Sequence, residues 1–172
     1  MDLTNGTVES TKIKGVMLKK GVLSKRDFTR IGIIDGDYSC NLIISLIKFT
    51  TLKGKDTMVQ FGAKLEIHDN DDTEYSALMD LDEIPEFINA IEMIKESTSH
   101  IKQENYNYSE MDYTTKDNVK IGIYKDQNGK IKYFMGVNSQ TLFFNFDGLE
   151  QIDFNLKRLM DNYEIKETKE NT

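Results

Sequence analysis

The chain has 172 residues, 38% hydrophobic and 30% charged, with 22 Lys and Arg against 29 Asp and Glu for a net charge of −7. Nine Phe, eight Tyr and many Ile and Leu are too apolar for intrinsic disorder, so a globular chain is expected, folded as one domain or as two small fused halves. No run approaches ~18 uncharged apolar residues and Met1 to Gly6 lack the regions of a secretion signal, so the chain is expected to be cytoplasmic, without a membrane partner, and its lone Cys40 cannot form an internal disulfide.

Charge is distributed unevenly. Residues 1–64 hold 11 Lys and Arg against 6 Asp and Glu, and the remainder 11 against 23. The excess gathers in Lys12, Lys14, Lys19, Lys20, Lys25, Arg26 and Arg30, opposed in that stretch only by Asp27. Such a cluster attracts phosphates or an acidic protein surface, although lysines at an exposed strand also serve to discourage edge-to-edge aggregation. Arg30-Ile31-Gly32-Ile33-Ile34 then begins a run of strands. After a turn at Asp35-Gly36-Asp37, Leu42 to Phe49 is almost continuously apolar, as expected of a central strand covered on both faces or of one buried in a subunit contact.

A second turn at Lys53 to Asp56 leads into the clearest alternation. Val59, Phe61, Ala63, Leu65 and Ile67 fall on one face and Met58, Gln60, Gly62, Lys64 and Glu66 on the other, so one side of this sheet meets water. His68 to Glu74 resembles a calcium loop but lacks its glycine and final glutamate, and reads as a solvated hairpin tip before a strand at Tyr75 to Met79. Ile84, Phe87, Ile88, Ile91 and Ile94 recur at helical spacing; with Asp82 as N-cap, Pro85 falls harmlessly in the first turn.

The polar stretch Glu96 to Asn118 has room for an edge strand near Tyr106 to Thr114. Lys120-Ile121-Gly122-Ile123-Tyr124 repeats the basic-Ile-Gly-Ile core, and Asn128-Gly129 predicts a type I′ hairpin joining Val119–Lys125 to Ile131–Met135. A last helix, with Asp147 and Glu150 at capping-box spacing and Leu149, Ile152, Leu156, Leu159 and Tyr163 as its stripe, should end near Tyr163 before a fraying tail. The fold class expected is α+β: two tandem units of antiparallel strands, each closed by an amphipathic helix in a ββββα-like duplication. The units span residues 1–97 and 98–172, with the alternative that both form one compact domain.

No motif for catalysis emerges. His68 and His100 are the only histidines, and neither stands beside Cys40 or at metal-ligand spacing. Gly54-Lys55 lacks the remainder of a phosphate-binding loop, and no glycine-rich turn opens a helix. The expectation is a non-enzyme with no cofactor, no metal and no catalytic residue.

Four strands followed by a helix, repeated once, resembles the plan of the Whirly family of single-stranded DNA-binding proteins. Lys53-Gly54-Lys55 is followed by Asp56-Thr57-Met58 instead of the Ala-Ala-Leu of that family's strand motif, so only the order of elements matches. The resemblance implies a homo-oligomer holding extended nucleic acid along the wet faces of its sheets. Independently, Lys19, Lys20, Lys25, Arg26, Phe28 and Arg30 bring cations and an aromatic ring together, as single-strand binding requires. The sequence pI of about 4.9 opposes a polyanion at long range unless the positive face is segregated. The alternative is a protein-interaction or regulatory module that uses the acidic second half or an exposed sheet edge.

Overall fold

Apolar alternation decides the first sheet. The computed structural model describes residues 10–71 and 73–170. The N-terminal residues read for a signal, Asp72 of the hairpin tip and the last two residues of the tail lie outside them. Strands β1 (Leu23–Asp35), β2 (Asn41–Lys53), β3 (Asp56–His68) and β4 (Glu74–Asp80) form an antiparallel meander in that order, here called sheet A. Phe61, Ala63, Leu65 and Ile67 of β3 are buried on its inner face, as their spacing predicts, whereas Val59 of the same stripe is exposed near the hairpin end. The central strand β2 is covered on both sides: Leu42, Ile44 and Leu46 enter the main core, while Ile47 and Phe49 on the outer face pack with Ile13 and Val16.

Those last two residues belong to α1 (Lys12–Met17), a short helix over part of the outer face that the sequence reading does not contain. Its seat is specific. The Asp80 carboxylate, at the end of β4, accepts hydrogen bonds from the backbone N–H groups of Lys12 at 2.7 Å and Ile13 at 3.1 Å. Thr11 caps the helix by accepting from the Lys14 N–H at 3.3 Å. Gly62 on β3 leaves room for it, because a Cβ there would lie 3.1 Å from Ile13 Cδ1 and 2.8 Å from the Met79 carbonyl oxygen.

Helix α2 (Ile84–Gln103) follows, and then strands β5 (Ser109–Thr114), β6 (Val119–Lys125), β7 (Ile131–Val137) and β8 (Gln140–Phe144) form the meander of sheet B, closed by α3 (Phe146–Glu170). The chain is therefore α+β with the ββββα plan repeated, and β5 supplies the strand drawn from Tyr106 to Thr114. The caps are displaced from their expected positions. The Glu83 carboxylate accepts from the Asp80 N–H at 3.0 Å, so the turn ahead of α2 begins at Asp80 and not Asp82. Asn145 accepts from the Gly148 N–H at 3.0 Å, a capping bond at the start of α3 that the Asp147 reading missed. Helix α3 also continues past Tyr163 to Glu170, and its Lys166 ammonium reaches the Thr29 hydroxyl on β1. In the β6–β7 turn only Gly129 takes a positive φ, +77°, and the Asp126 carbonyl accepts from its N–H at 2.9 Å. The hairpin is present, but one left-handed glycine replaces the type I′ pair.

The helices are exchanged between the sheets. Helix α2 follows sheet A yet packs mainly on β5 and β6, with Phe87 edge-on to Tyr113 at 5.9 Å. Helix α3 follows sheet B yet lies along β1 and β2, with Tyr163 edge-on to Phe61 at 5.3 Å. One continuous core results, fed by both sheets and both helices. Residue 97, the expected unit boundary, sits inside α2. The two Ile-Gly-Ile stretches are not counterparts in this plan, since Gly32 is on the first strand of sheet A and Gly122 on the second strand of sheet B. Gly32 faces Asn155 of α3, whereas Gly122 lies beneath the ring of Phe134.

Candidate functional site

The outer face of sheet A carries three of the residues singled out in the sequence. Arg26, Phe28 and Arg30 alternate along β1, so all three project to the same side, and each is exposed. Phe28 is 52% exposed, unusual for a ring on a strand. In register it stands opposite Ile47. Cations border it: the Arg26 guanidinium lies 5.5 Å from the centre of the Phe49 ring and the Lys64 ammonium 5.4 Å from that of Phe28. Lys19 and Lys20 leave the end of α1 and line a groove with Lys53, Asp56, Thr57 and Met58, at the hairpin end of the same sheet. Lys19 Nζ is 3.9 Å from Met58 Sδ. Lys25 is placed differently. Its odd position turns it to the opposite face, where it pairs with Asp27 at 2.9 Å.

Two other members of the cluster are committed elsewhere: Lys12 to Asp82 and Lys14 to Asp117. Lys64 is the residue that the sequence reading left out of the site. Its ammonium bonds Glu66 at 2.6 Å and Glu74 at 2.9 Å. Burial pushes the Lys64 pKa down, but the hydrogen bonds to those two carboxylates outweigh it and leave the group above its ordinary value. Glu74 is held below the usual carboxylate range, first by its bond from Lys64. The alternation along β3 had already placed Lys64 on the wet face, and that was the available signal.

Glu66, His68 and Glu74 bring potential ligand atoms within 4.8 Å of one another. Lys64 bonds both carboxylates, so the group forms an ion-pair network. Two other buried acids hold backbone groups. Glu83 accepts from the Lys116 N–H at 3.0 Å, and Asp117 from the Leu78 N–H at 2.8 Å, tying the β5–β6 connection to the edge of sheet A. The buried Asp153 of α3 instead pairs with Lys95 and Lys157 at 2.8 and 2.9 Å.

Sheet B carries an aromatic cluster that is exposed at Tyr108, half-buried at Tyr124 and Phe143 and buried at Phe134. The Tyr124 ring lies 6.1 Å from Tyr108, 6.2 Å from Phe134 and 6.0 Å from Phe143. A hydrogen bond to Glu110, reinforced by burial, pushes the Tyr108 hydroxyl up to about 12. Lys132 stands 5.6 Å from the Phe143 ring centre while pairing with Asp37 at 2.9 Å. Beside this cluster the edge strand β5 carries the acidic Glu110 and Asp112.

Among the described residues, no helix is long and apolar enough to cross a membrane. No protein-family model matches the chain, and no curated protein matches it significantly.

Proposed function

We propose that the protein is a non-catalytic binding protein that engages single-stranded nucleic acid on the outer face of sheet A. One observation carries this reading: Arg26, Phe28 and Arg30 form a row on β1 in which an exposed ring is flanked by two guanidinium groups. Phosphates need the cations and bases need the ring, and single-strand binders combine both. Lys19 and Lys20 extend the positive row toward the hairpin end, where Asp56 shares their groove; at the other end Glu66 lines a groove with Phe28 and Arg30, and Glu66 and Glu74 are both engaged by Lys64. The reading requires this local row of cations to outweigh at short range the net charge of −7, which repels a polyanion at long range. The row spans roughly 13 Å from Arg26 to Arg30 at the usual strand rise, so one protomer grips only a short length of strand. A homo-oligomer, as the resemblance to the Whirly family implies, lengthens the track. The reading also implies a cytoplasmic setting.

The test is fluorescence anisotropy with a labelled single-stranded oligonucleotide at ~50 mM and ~200 mM salt. Binding that weakens with salt and is lost in Arg26→Glu/Arg30→Glu supports the reading; absence of binding at the lower salt removes it. A second reading, a protein partner, is favoured by the aromatic cluster around Tyr124 and by the acidic edge of β5, because Tyr and Phe are enriched at protein interfaces. Loss of a captured protein on Tyr124→Ala, with the β1 variants unaffected, would select that alternative.

A further inference from the structure

Beside the basic row, the outer face is not flat. Helix α1 lies across the β2 to β4 part of sheet A and leaves β1 uncovered, so a cleft of about 540 Å³ opens between them. Its floor and walls are apolar: Met17 and Leu18 from the helix end, Phe28 from β1, Ile47 from β2 and Leu78 from β4. The polar atoms at its rim are few and placed by the fold. Ser76 lies on β4, Lys64 is held by its two carboxylates, and the buried Asp117 is fixed by Lys14 and by the Leu78 N–H. A cleft of this size, apolar with a few convergent polar groups, has the form of a small-molecule site.

Resting on the nucleic-acid reading above, we propose that this cleft admits one unstacked base of the bound strand, seated against the Phe28 ring between α1 and β1. Charge complementarity selects the occupant. Arg26 is at the cleft and Arg30 four residues further along the same face; the acid lining the cleft, Asp117, is paired with Lys14, and Asp27 of β1 turns to the other side to meet Lys25. An occupant that is planar and apolar, with a fixed negative charge beside it, meets ring and guanidinium together, and a nucleotide is such a group. The cleft therefore adds a base-dependent contribution to the electrostatic grip, and the short helix α1 becomes one wall of the site.

The test compares a short oligothymidylate with an abasic strand of equal length and phosphate number, using Leu18→Trp as a fluorescent reporter at the cleft mouth and Ser76→Tyr to fill the cleft. One engaged base is worth about tenfold in affinity. The expected result is that the base-bearing strand binds about tenfold more tightly than the abasic one and quenches the tryptophan, and that Ser76→Tyr removes the difference while leaving the salt dependence. If both strands bind alike with a salt slope and the tryptophan is unchanged, the cleft proposal is overturned and the sheet reading stands. A tenfold preference that survives Ser76→Tyr also overturns it, because the Phe28 face alone then explains the stacking. If neither strand binds, the underlying reading fails first. Displacement of the strand by an acidic peptide bearing one Phe, with no base preference, would assign the cleft to a protein instead. Should Ser76→Tyr not fold, the reporter decides alone: quenching by the base-bearing strand and none by the abasic strand is the required result.

Discussion

Replacing Asp80 with Ala should undock α1 and destabilise the protein. The side chain is 1% exposed and its carboxylate accepts from the Lys12 and Ile13 N–H groups at 2.7 and 3.1 Å. Alanine leaves those two donors without their acceptor at a helix start, where no intrahelical partner exists. Each such bond to a charged acceptor contributes about 1.5 kcal/mol or more, so the loss is about 3 kcal/mol in total. Ile13 is fully buried only because α1 is docked. Its release would add up to about 2 kcal/mol of lost apolar burial, while solvation of the freed N–H groups would offset part of this. Urea unfolding followed by circular dichroism measures the effect, and with a slope of about 2 kcal/mol/M the midpoint should fall by roughly 1.5 M. Asp80→Asn keeps one carbonyl acceptor and should lose about half as much. A change of under about 0.5 kcal/mol in Asp80→Ala would refute the assignment of Asp80 as the anchor of α1.

Three other outcomes are expected. Gly62→Ala puts a methyl group 2.8 Å from the Met79 carbonyl oxygen and 3.1 Å from Ile13, so it should cost about 1 to 3 kcal/mol and speed proteolysis near α1, measured by urea unfolding and limited trypsin digestion. A chain ending at residue 104 keeps α2 but not the sheet it packs on, so calorimetry should show no cooperative melt. Burial pushes the Asp153 carboxyl up, but hydrogen bonds from Lys157 and Lys95 pull it further down, leaving it below its ordinary value. Its stabilisation is therefore present above the unfolded pKa of about 3.9 and lost as pH falls through the lower folded value. The stability gap between the native protein and Asp153→Asn, read from urea midpoints, should be wide near pH 6 and shrink toward pH 2.

Much of the fold is legible because the sheet pattern is local. Phe61, Ala63, Leu65 and Ile67 declare a face by parity, and the unbroken run from Leu42 declares a centre strand, since both follow from the two-residue period of a strand. The exchange of helices is not local. The stripe of Phe87 and Ile91 is equally satisfied by either sheet, and nothing in its spacing says which. Helix α1 escapes for a related reason: at six residues with Gly15 in its middle, it is too short to show a period and is held mainly by Asp80, nearly seventy residues away. The shared Ile-Gly-Ile misled because each glycine answers a different neighbour, Asn155 in one case and Phe134 in the other. In the site, proximity in sequence groups Lys25 with Arg26, Phe28 and Arg30, but the two-residue period of β1 turns Lys25 to the other face. Which lysines are free of carboxylates is a tertiary matter: Lys14 meets Asp117 from a distant connection, and no reading of the basic segment alone contains that pair.

Amide chemical-shift mapping of the labelled protein during titration with a short single-stranded oligonucleotide tests the binding surface most directly. Perturbations confined to β1 around Arg26 to Arg30, the end of α1 and the facing residues near Lys64 are the predicted result. Perturbations centred on Tyr124, Phe134 and Phe143 of sheet B, or none at ~50 mM salt, would contradict it.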